Sequence, residues 1–368
     1  MRILLLSFRD IKHPKKGGAE AVTYRHAEAM AEKGHEVIWL TSKFDGCKEK
    51  ETIENDIRII RKHSMVTIQF FAWYYYFKMF RNNIDIVIDQ MNTIPFFTPI
   101  FVKEKKIFFV HHFGDLKMWT LEKPFPLNII VWFSEQIFLR LYRNICTICV
   151  SESTKRDLQR IGFKKINVIA DGCDVEPLQN VELTKKNYDS LVFVSRLVPM
   201  KQVEDALRVV CLVKKTNPNV KLWIIGTGPE NYTRKLEKLV TMLEITENVQ
   251  FLGYLTYDKR NEYLKRAGLL LVTSIKEGWG LNVIEAGACG TPTVAYNVPG
   301  LRDSVKNGVT GVLCAPNPDK MACAIVDLWI DKKVLMTYSK NALDNSRQFN
   351  WDKSAKDLTN ILDKIIFE

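Results

Sequence analysis

Glu277 and Glu285 stand eight residues apart in the segment Glu277-Gly-Trp-Gly-Leu-Asn-Val-Ile-Glu285, two residues after the apolar run Gly268-Leu-Leu-Leu-Val-Thr-Ser274. The run reads as a buried strand, and Leu281, Ile284 and Ala288 have helical spacing, so the segment is a strand-loop-helix junction. The first N–H groups of such a helix, here those of Gly280, Leu281 and Asn282, lack intrahelical acceptors, carry partial positive charge and attract an anion. From Leu281 to Glu285 the helix climbs roughly 6 Å at about 1.5 Å per residue. Phosphate at the amides with a hydroxyl-rich group beside each carboxylate fits that span, which describes a nucleotide sugar. Taken singly, either Glu reads equally as a solvated helix-end acid, because Glu is mostly exposed. The glycines and the preceding strand favour the ligand.

A second constellation is Ser195-Arg196-Leu-Val-Pro-Met-Lys201, which follows the strand-like Leu191-Val-Phe-Val. Two cations close together at a strand end are costly to crowd unless an anion lies between them. Lys15-Lys16-Gly17-Gly18 occupies a strand-to-helix turn, where Gly17 and Gly18 would let the backbone approach a phosphate. Lys105-Lys-Ile-Phe-Phe-Val110 delivers His111 and His112 to its carboxyl end, where open parallel sheets bind ligands. A lone His is more often structural. Gly226-Thr-Gly228 lacks the third glycine of a dinucleotide fingerprint, because Asn231 stands there.

These segments together resemble the retaining glycosyltransferases of family 4. The Glu277 to Glu285 element, continued through Ala286-Gly-Ala-Cys-Gly-Thr-Pro292, looks like that family's paired-glutamate motif, and Ser195-Arg196 with Lys201 looks like its diphosphate clamp. The Gly17-Gly18 turn is similar to its glycine loop, and Val110-His111-His112 to the segment bearing its first-domain histidine. Asn167-Val-Ile-Ala-Asp-Gly-Cys-Asp174 resembles its Asn-Gly-Val-Asp turn, with Asp171 in place of Asn. The resemblance implies that Glu277 holds the donor sugar and Glu285 the ribose, that His111 faces the donor sugar, and that the loop at Gly253 and Tyr254 receives the nucleobase. Gly278, Trp279, Gly280, Leu281 and Asn282 would line the same ligand. It implies a GT-B fold: two Rossmann-like doubly wound domains facing across a cleft, with residues 1–175 binding acceptor, 176–350 binding donor, and a final helix, 351–368, crossing back to the first. The linker is expected at about 175–188, a polar stretch holding Pro177.

The reaction implied is retaining transfer of a hexose-type sugar from a nucleoside-diphosphate sugar to an acceptor hydroxyl, lipid-linked or on a glycan of the cell envelope. Arg196, Lys201 and two helix N-termini suffice to neutralise a leaving diphosphate, so neither metal nor other cofactor is expected. A covalent role for Glu277 ranks below a positioning one. Two other readings stand beside this one: an NAD-dependent Rossmann oxidoreductase, which leaves the basic clamp unexplained, and a non-catalytic basic protein binding membrane or nucleic acid, which leaves the glutamates unexplained.

At 368 residues, with 46% hydrophobic and 26% charged, the chain suits two soluble globular domains. Its net charge of +11 is uneven: residues 1 to 175 hold 27 Lys and Arg against 20 Asp and Glu, or +7, leaving +4 for the rest. The eight cysteines are scattered, mostly within apolar runs, which points to a reducing cytoplasm. Met1-Arg-Ile-Leu-Leu-Leu-Ser7 reads as a strand too short for a signal core. No window is apolar enough to span a bilayer. Phe70 to Phe80 is aromatic at eight of eleven positions, and residues 125–144 mix aromatics and aliphatics with Arg140 and Arg143. Together with the basic balance, these suggest peripheral contact with an anionic cytoplasmic membrane face, with core packing as the alternative. Nucleic acid is not an expected partner.

Overall fold

The computed structural model describes residues 1–92, 94–112, 114–181 and 186–367. Phe113, and residues 182–185 of the expected linker, lie outside them. The chain divides into two compact units, Met1–Gly172 with Asn350–Glu368, and Cys173–Phe349.

In the first unit the described strands are β1 (Arg2–Leu6), β2 (Glu36–Thr41), β3 (Lys50–Thr52), β4 (Arg58–Arg61), β5 (Ile86–Met91), β6 (Lys105–Val110), β7 (Cys146–Cys149) and β8 (Ile166–Val168). They form one sheet in the order β3-β4-β2-β1-β5-β6-β7-β8, parallel except where β3 meets β4. Continuous apolar runs such as Ile3–Leu6 and Ile107–Val110, at most 2% exposed, fit strands covered on both faces. The pattern of the sequence anticipates neither β3 nor β8. Lys50-Glu-Thr52 has no strand composition of its own and is held at the sheet edge by pairing with Arg58–Ile60.

The second unit holds β9 (Asn187–Val194), β10 (Lys221–Ile225), β11 (Val249–Gly253), β12 (Ala267–Val272), β13 (Thr293–Tyr296) and β14 (Gly311–Cys314), all parallel, in the order β11-β10-β9-β12-β13-β14. Both sheets are doubly wound. Strand order reverses between β1 and β5 in one and between β9 and β12 in the other, which opens a crevice at the carboxyl ends of those strands.

The last helix, Trp351–Phe367, belongs to the first unit although residues 173–349 intervene in sequence. Its buried Leu358 and Leu362 share a face with Ser354, whose Oγ lies 2.9 Å from His26 Nε2 on the helix Gly18–Glu32. Lys105 Nζ donates to the carbonyls of Ile365 and Ile366 at 2.5 and 2.9 Å, a cation at a helix C-terminus.

Candidate active site

At the switch point of the second unit, the loop after β12 grips the loop after β9. Thr273 Oγ1 lies 2.8 Å from the carbonyls of both Lys201 and Gln202, between which its one hydrogen is shared, and Ile275 N donates to Met200 O at 3.1 Å. This holds the turn Pro199–Lys201 so that Lys201 Nζ reaches Glu277 Oε1 at 2.5 Å, and Ser274 Oγ donates to the same oxygen at 2.7 Å. Lys201 is 9% exposed, so the anion that balances its charge is Glu277 itself. Arg196 is exposed, and among the described residues no partner pairs with it. The two cations are therefore not crowded: one is held inside the protein and the other is presented to solvent.

The helix behind the loop runs from Leu281 to Ala288, and Gly280 precedes it at φ +105°, a backbone conformation that excludes a β-carbon at little cost only for glycine. Asn282 Nδ2 donates to Val194 O at 3.1 Å and ties this helix start to the end of β9. Gly278 is half-buried, and Trp279 is buried against Phe349 with ring centroids 5.3 Å apart. Gly226 and Gly228 serve another purpose. A β-carbon at Gly226 would lie 1.8 Å from the carbonyl oxygen of Ser195, and one at Gly228 1.9 Å from that of Leu197, so these glycines make room for the backbone of the loop after β9.

Glu285 lies one turn into the helix and is 13% exposed in its side chain, and Arg260 Nη2 donates to its Oε1 at 3.0 Å. Burial raises the carboxyl above its ordinary range, Arg260 opposes that, and Asp174 adds to it. Arg260 also lies 4.5 Å from the centroid of the Tyr257 ring. Sequence reasoning missed Arg260 because nothing in a polar helix, Tyr257–Arg266, marks which side chain turns to a residue 25 positions later. Lys186 Nζ closes the far ends of both helices, donating to the carbonyls of Lys265 and Ala267 and to Thr291 Oγ1 at 3.1, 3.1 and 2.7 Å. Gly253 ends β11, its carbonyl accepting from Gly226 N at 2.8 Å, and Tyr254 beside it is 80% exposed.

In the first unit, Gly17 caps the helix Gly18–Glu32, and its N–H donates to Glu20 Oε2 at 2.6 Å while Arg9 Nε donates to Glu20 Oε1 at 3.0 Å. The same loop is braced by Asp10, which takes Nε and Nη2 of the fully buried Arg61 at 2.8 and 3.0 Å. His111 follows β6 and is 6% exposed, with Nε2 2.7 Å from Gln90 Oε1. Burial pushes its pKa down to about 3, so the imidazole is uncharged at neutral pH. His112 Nε2 lies 3.0 Å from Met118 Sδ.

The aromatic run forms the helix Ile68–Tyr75 and a π-turn, Tyr76–Phe80. Ile68, Ala72, Tyr76 and Phe80 are buried in the core beneath the sheet, whereas Phe70, Phe71, Trp73, Tyr74 and Phe77 are 41–51% exposed. The helix Leu127–Leu139 is inverted relative to a soluble amphipathic helix. Glu135 points inward, accepting from Gly114 N and Trp119 Nε1 at 3.1 and 2.9 Å, while Leu127, Ile129, Ile130, Phe133 and Ile137 are 43–58% exposed. Phe97 joins the two helices, its ring 6.0 Å from Phe70 and 4.9 Å from Phe138.

Two doubly wound units with polar clusters at their switch points define a two-domain α/β protein. Residues 174–345 match the model of the glycosyl transferases group 1, and residues 16–177 match that of glycosyltransferase family 4. The chain belongs to these glycosyltransferases. It is similar to an uncharacterized glycosyltransferase of Methanocaldococcus jannaschii, 23% identical over 99% of both chains. Sucrose-phosphate synthase from Thermosynechococcus elongatus superposes with a TM-score of 0.81 at 20% identity, covering 99% of this chain and 98% of that one. HepE of Anabaena, solved with UDP and glucose, gives 0.77 at 19% identity over 99% of this chain and 100% of that one. The fold is GT-B.

Proposed function

We propose that the protein is a retaining, metal-independent glycosyltransferase that moves a hexose-type sugar from a nucleoside-diphosphate sugar to an acceptor hydroxyl. The observation that carries this reading is the cluster at the second switch point. Lys201 and Ser274 fix the Glu277 carboxylate, Arg196, without a partner among the described residues, stands just past the end of β9, and the N-terminus of the helix Leu281–Ala288 lies beside them. Arg196 and the amides of that N-terminus take the diphosphate, Glu277 the sugar hydroxyls, and Glu285, oriented by Arg260, the ribose. HepE, a relative in fold, is seen with UDP, which favours a nucleotide sugar as donor. The bond between the anomeric carbon and the phosphate oxygen breaks as negative charge gathers on the diphosphate. The acceptor oxygen then bonds to that carbon from the same face and passes its proton to the departing phosphate. Incubation with UDP-, GDP- and ADP-hexoses tests the reading: release of nucleoside diphosphate from one of them is expected, and release from none refutes it.

The acceptor is lipid-linked, and the enzyme works attached to the cytoplasmic face of an anionic membrane. The exposed apolar side chains of the helices 68–80 and 127–139 support this, with the exposed cations Lys78 on the first and Lys123 and Arg140 near the ends of the second in sequence. Each such cation adds about 1 kcal/mol near an anionic leaflet, and interfacial aromatics and leucines supply the apolar part. Among the described residues no helix is long and apolar enough to cross a membrane. Co-sedimentation with anionic vesicles at low salt, weakened at high salt, is the expected result. Failure to sediment with anionic vesicles at low salt would point to a soluble acceptor.

A further inference from the structure

Gln202 follows Lys201 directly and lies in the left-handed region, at φ +48° and ψ +53°. A residue with a β-carbon keeps that conformation only under restraint, and such strain gathers where a site must be aimed. Gln202 is also the N-cap of the helix Val203–Val213, a place where the backbone is ordinarily extended. Its surroundings supply the restraint. The N–H and the side-chain Nε2 of Gln202 both donate to Pro199 O, at 3.1 and 2.8 Å. On the other side, the carbonyls of Lys201 and Gln202 share the hydroxyl of Thr273, which is fully buried just past β12. The two residues after Thr273 complete the brace: Ser274 Oγ donates to Glu277, and Ile275 N to Met200 O. Three consecutive residues thus hold both partners of the Lys201–Glu277 ion pair.

We propose that Thr273 and Gln202 are positioning residues: the Thr273 hydroxyl latches Gln202 in its left-handed conformation, and that conformation aims Lys201 at Glu277. The helix after Gln202 is anchored in the core by Val203, Ala206 and Leu207, each fully buried. A return of Gln202 to negative φ would therefore leave the helix in place and swing the turn Pro199–Lys201 instead. Lys201 Nζ, now 2.5 Å from Glu277 Oε1, would lose its aim, and the carboxylate its ammonium. Only the consequence for turnover rests on the function proposed above.

Acetylation of the full chain by acetic anhydride, followed lysine by lysine by mass spectrometry, reads the aim of Lys201, because a carboxylate partner keeps the amine protonated and unreactive. In the wild type Lys201 should react far more slowly than the exposed Lys215 and Lys259. Thr273→Val, which keeps the shape and removes the hydroxyl, should bring Lys201 close to their rate and lower kcat with the active nucleotide sugar roughly tenfold. Thr273→Ser, which keeps the hydroxyl, should leave Lys201 protected. The deciding pair adds Gln202→Gly or Gln202→Ala to Thr273→Val. Glycine takes the left-handed conformation unaided and should restore protection and most of kcat, whereas alanine, equally without the amide but with a β-carbon, should not. Recovery by both or by neither would overturn the proposal, as would a Lys201 still protected in Thr273→Val. Labelling of the buried Lys186 in Thr273→Val would mean that Thr273 holds the whole unit, and would overturn a local role. Release of Lys201 with kcat intact would overturn the link to turnover. A wild type that turns over no nucleotide sugar would refute the function proposed above and leave the labelling result standing.

Discussion

Lys201 and Arg196 come from one loop yet meet different surroundings, and their substitutions should separate accordingly. Arg196 is exposed without a partner among the described residues, so Arg196→Ala should leave the melting temperature nearly unchanged, as surface changes do. Lys201→Met leaves the Glu277 carboxylate without its ammonium in a site where the two side chains are 11% and 15% exposed, so it should lower the melting temperature as well as turnover. Equal melting temperatures for the two variants would contradict the pairing. Asp171 offers a second test at this scale. It is buried, its Oδ1 has no hydrogen-bond partner among the described residues, and burial raises its pKa to about 8. A raised carboxyl costs nothing while protonated, and the cost develops as pH climbs from the unfolded value of about 4 toward the folded one. Asp171→Asn should therefore raise the melting temperature much more at pH 8 than at pH 4; a gain of the same size at both would place the effect outside titration. The types and spacing of Glu277, Glu285, Arg196 and Lys201 were legible in the sequence. Their pairings were not, because Ser274 and Arg260 are side chains whose direction depends on packing between distant elements.

At the scale of elements, most strands could be read because parallel strands covered on both faces are uninterrupted apolar runs, as in Ile107–Val110 and Leu269–Val272. The helices 68–80 and 127–139 could be found but not oriented. Their composition is apolar nearly all round, and only the structure shows Ala72, Tyr76 and Glu135 turned inward with Trp73 and Phe133 turned outward. This orientation makes the membrane reading testable by substitution. Trp73→Ser combined with Phe133→Ser should leave the melting temperature within a few degrees, whereas truncating a buried aromatic costs about 3–5 kcal/mol. The same pair should abolish most sedimentation with anionic vesicles. A large fall in melting temperature would mean that these rings are packed in solution.

At the scale of the whole molecule, the alternation of strand and helix announces doubly wound sheets, and the order in which strands lie fixes where ligands enter. That order was not visible along the chain, and neither was the edge strand β3, which exists only through its pairing with β4. The basic excess of residues 1 to 175, +7 of the total +11, falls in the half that carries the exposed apolar helices. The central claim is that the second switch point holds a nucleoside diphosphate, and calorimetric titration of the wild type and of Arg196→Ala with UDP, GDP and ADP tests it most directly. One of the three should bind the wild type and weaken about tenfold to hundredfold in the variant, the loss of a charge-assisted hydrogen bond of roughly 1.5–3 kcal/mol. Binding of none of them, or equal affinity in wild type and variant, would contradict the account.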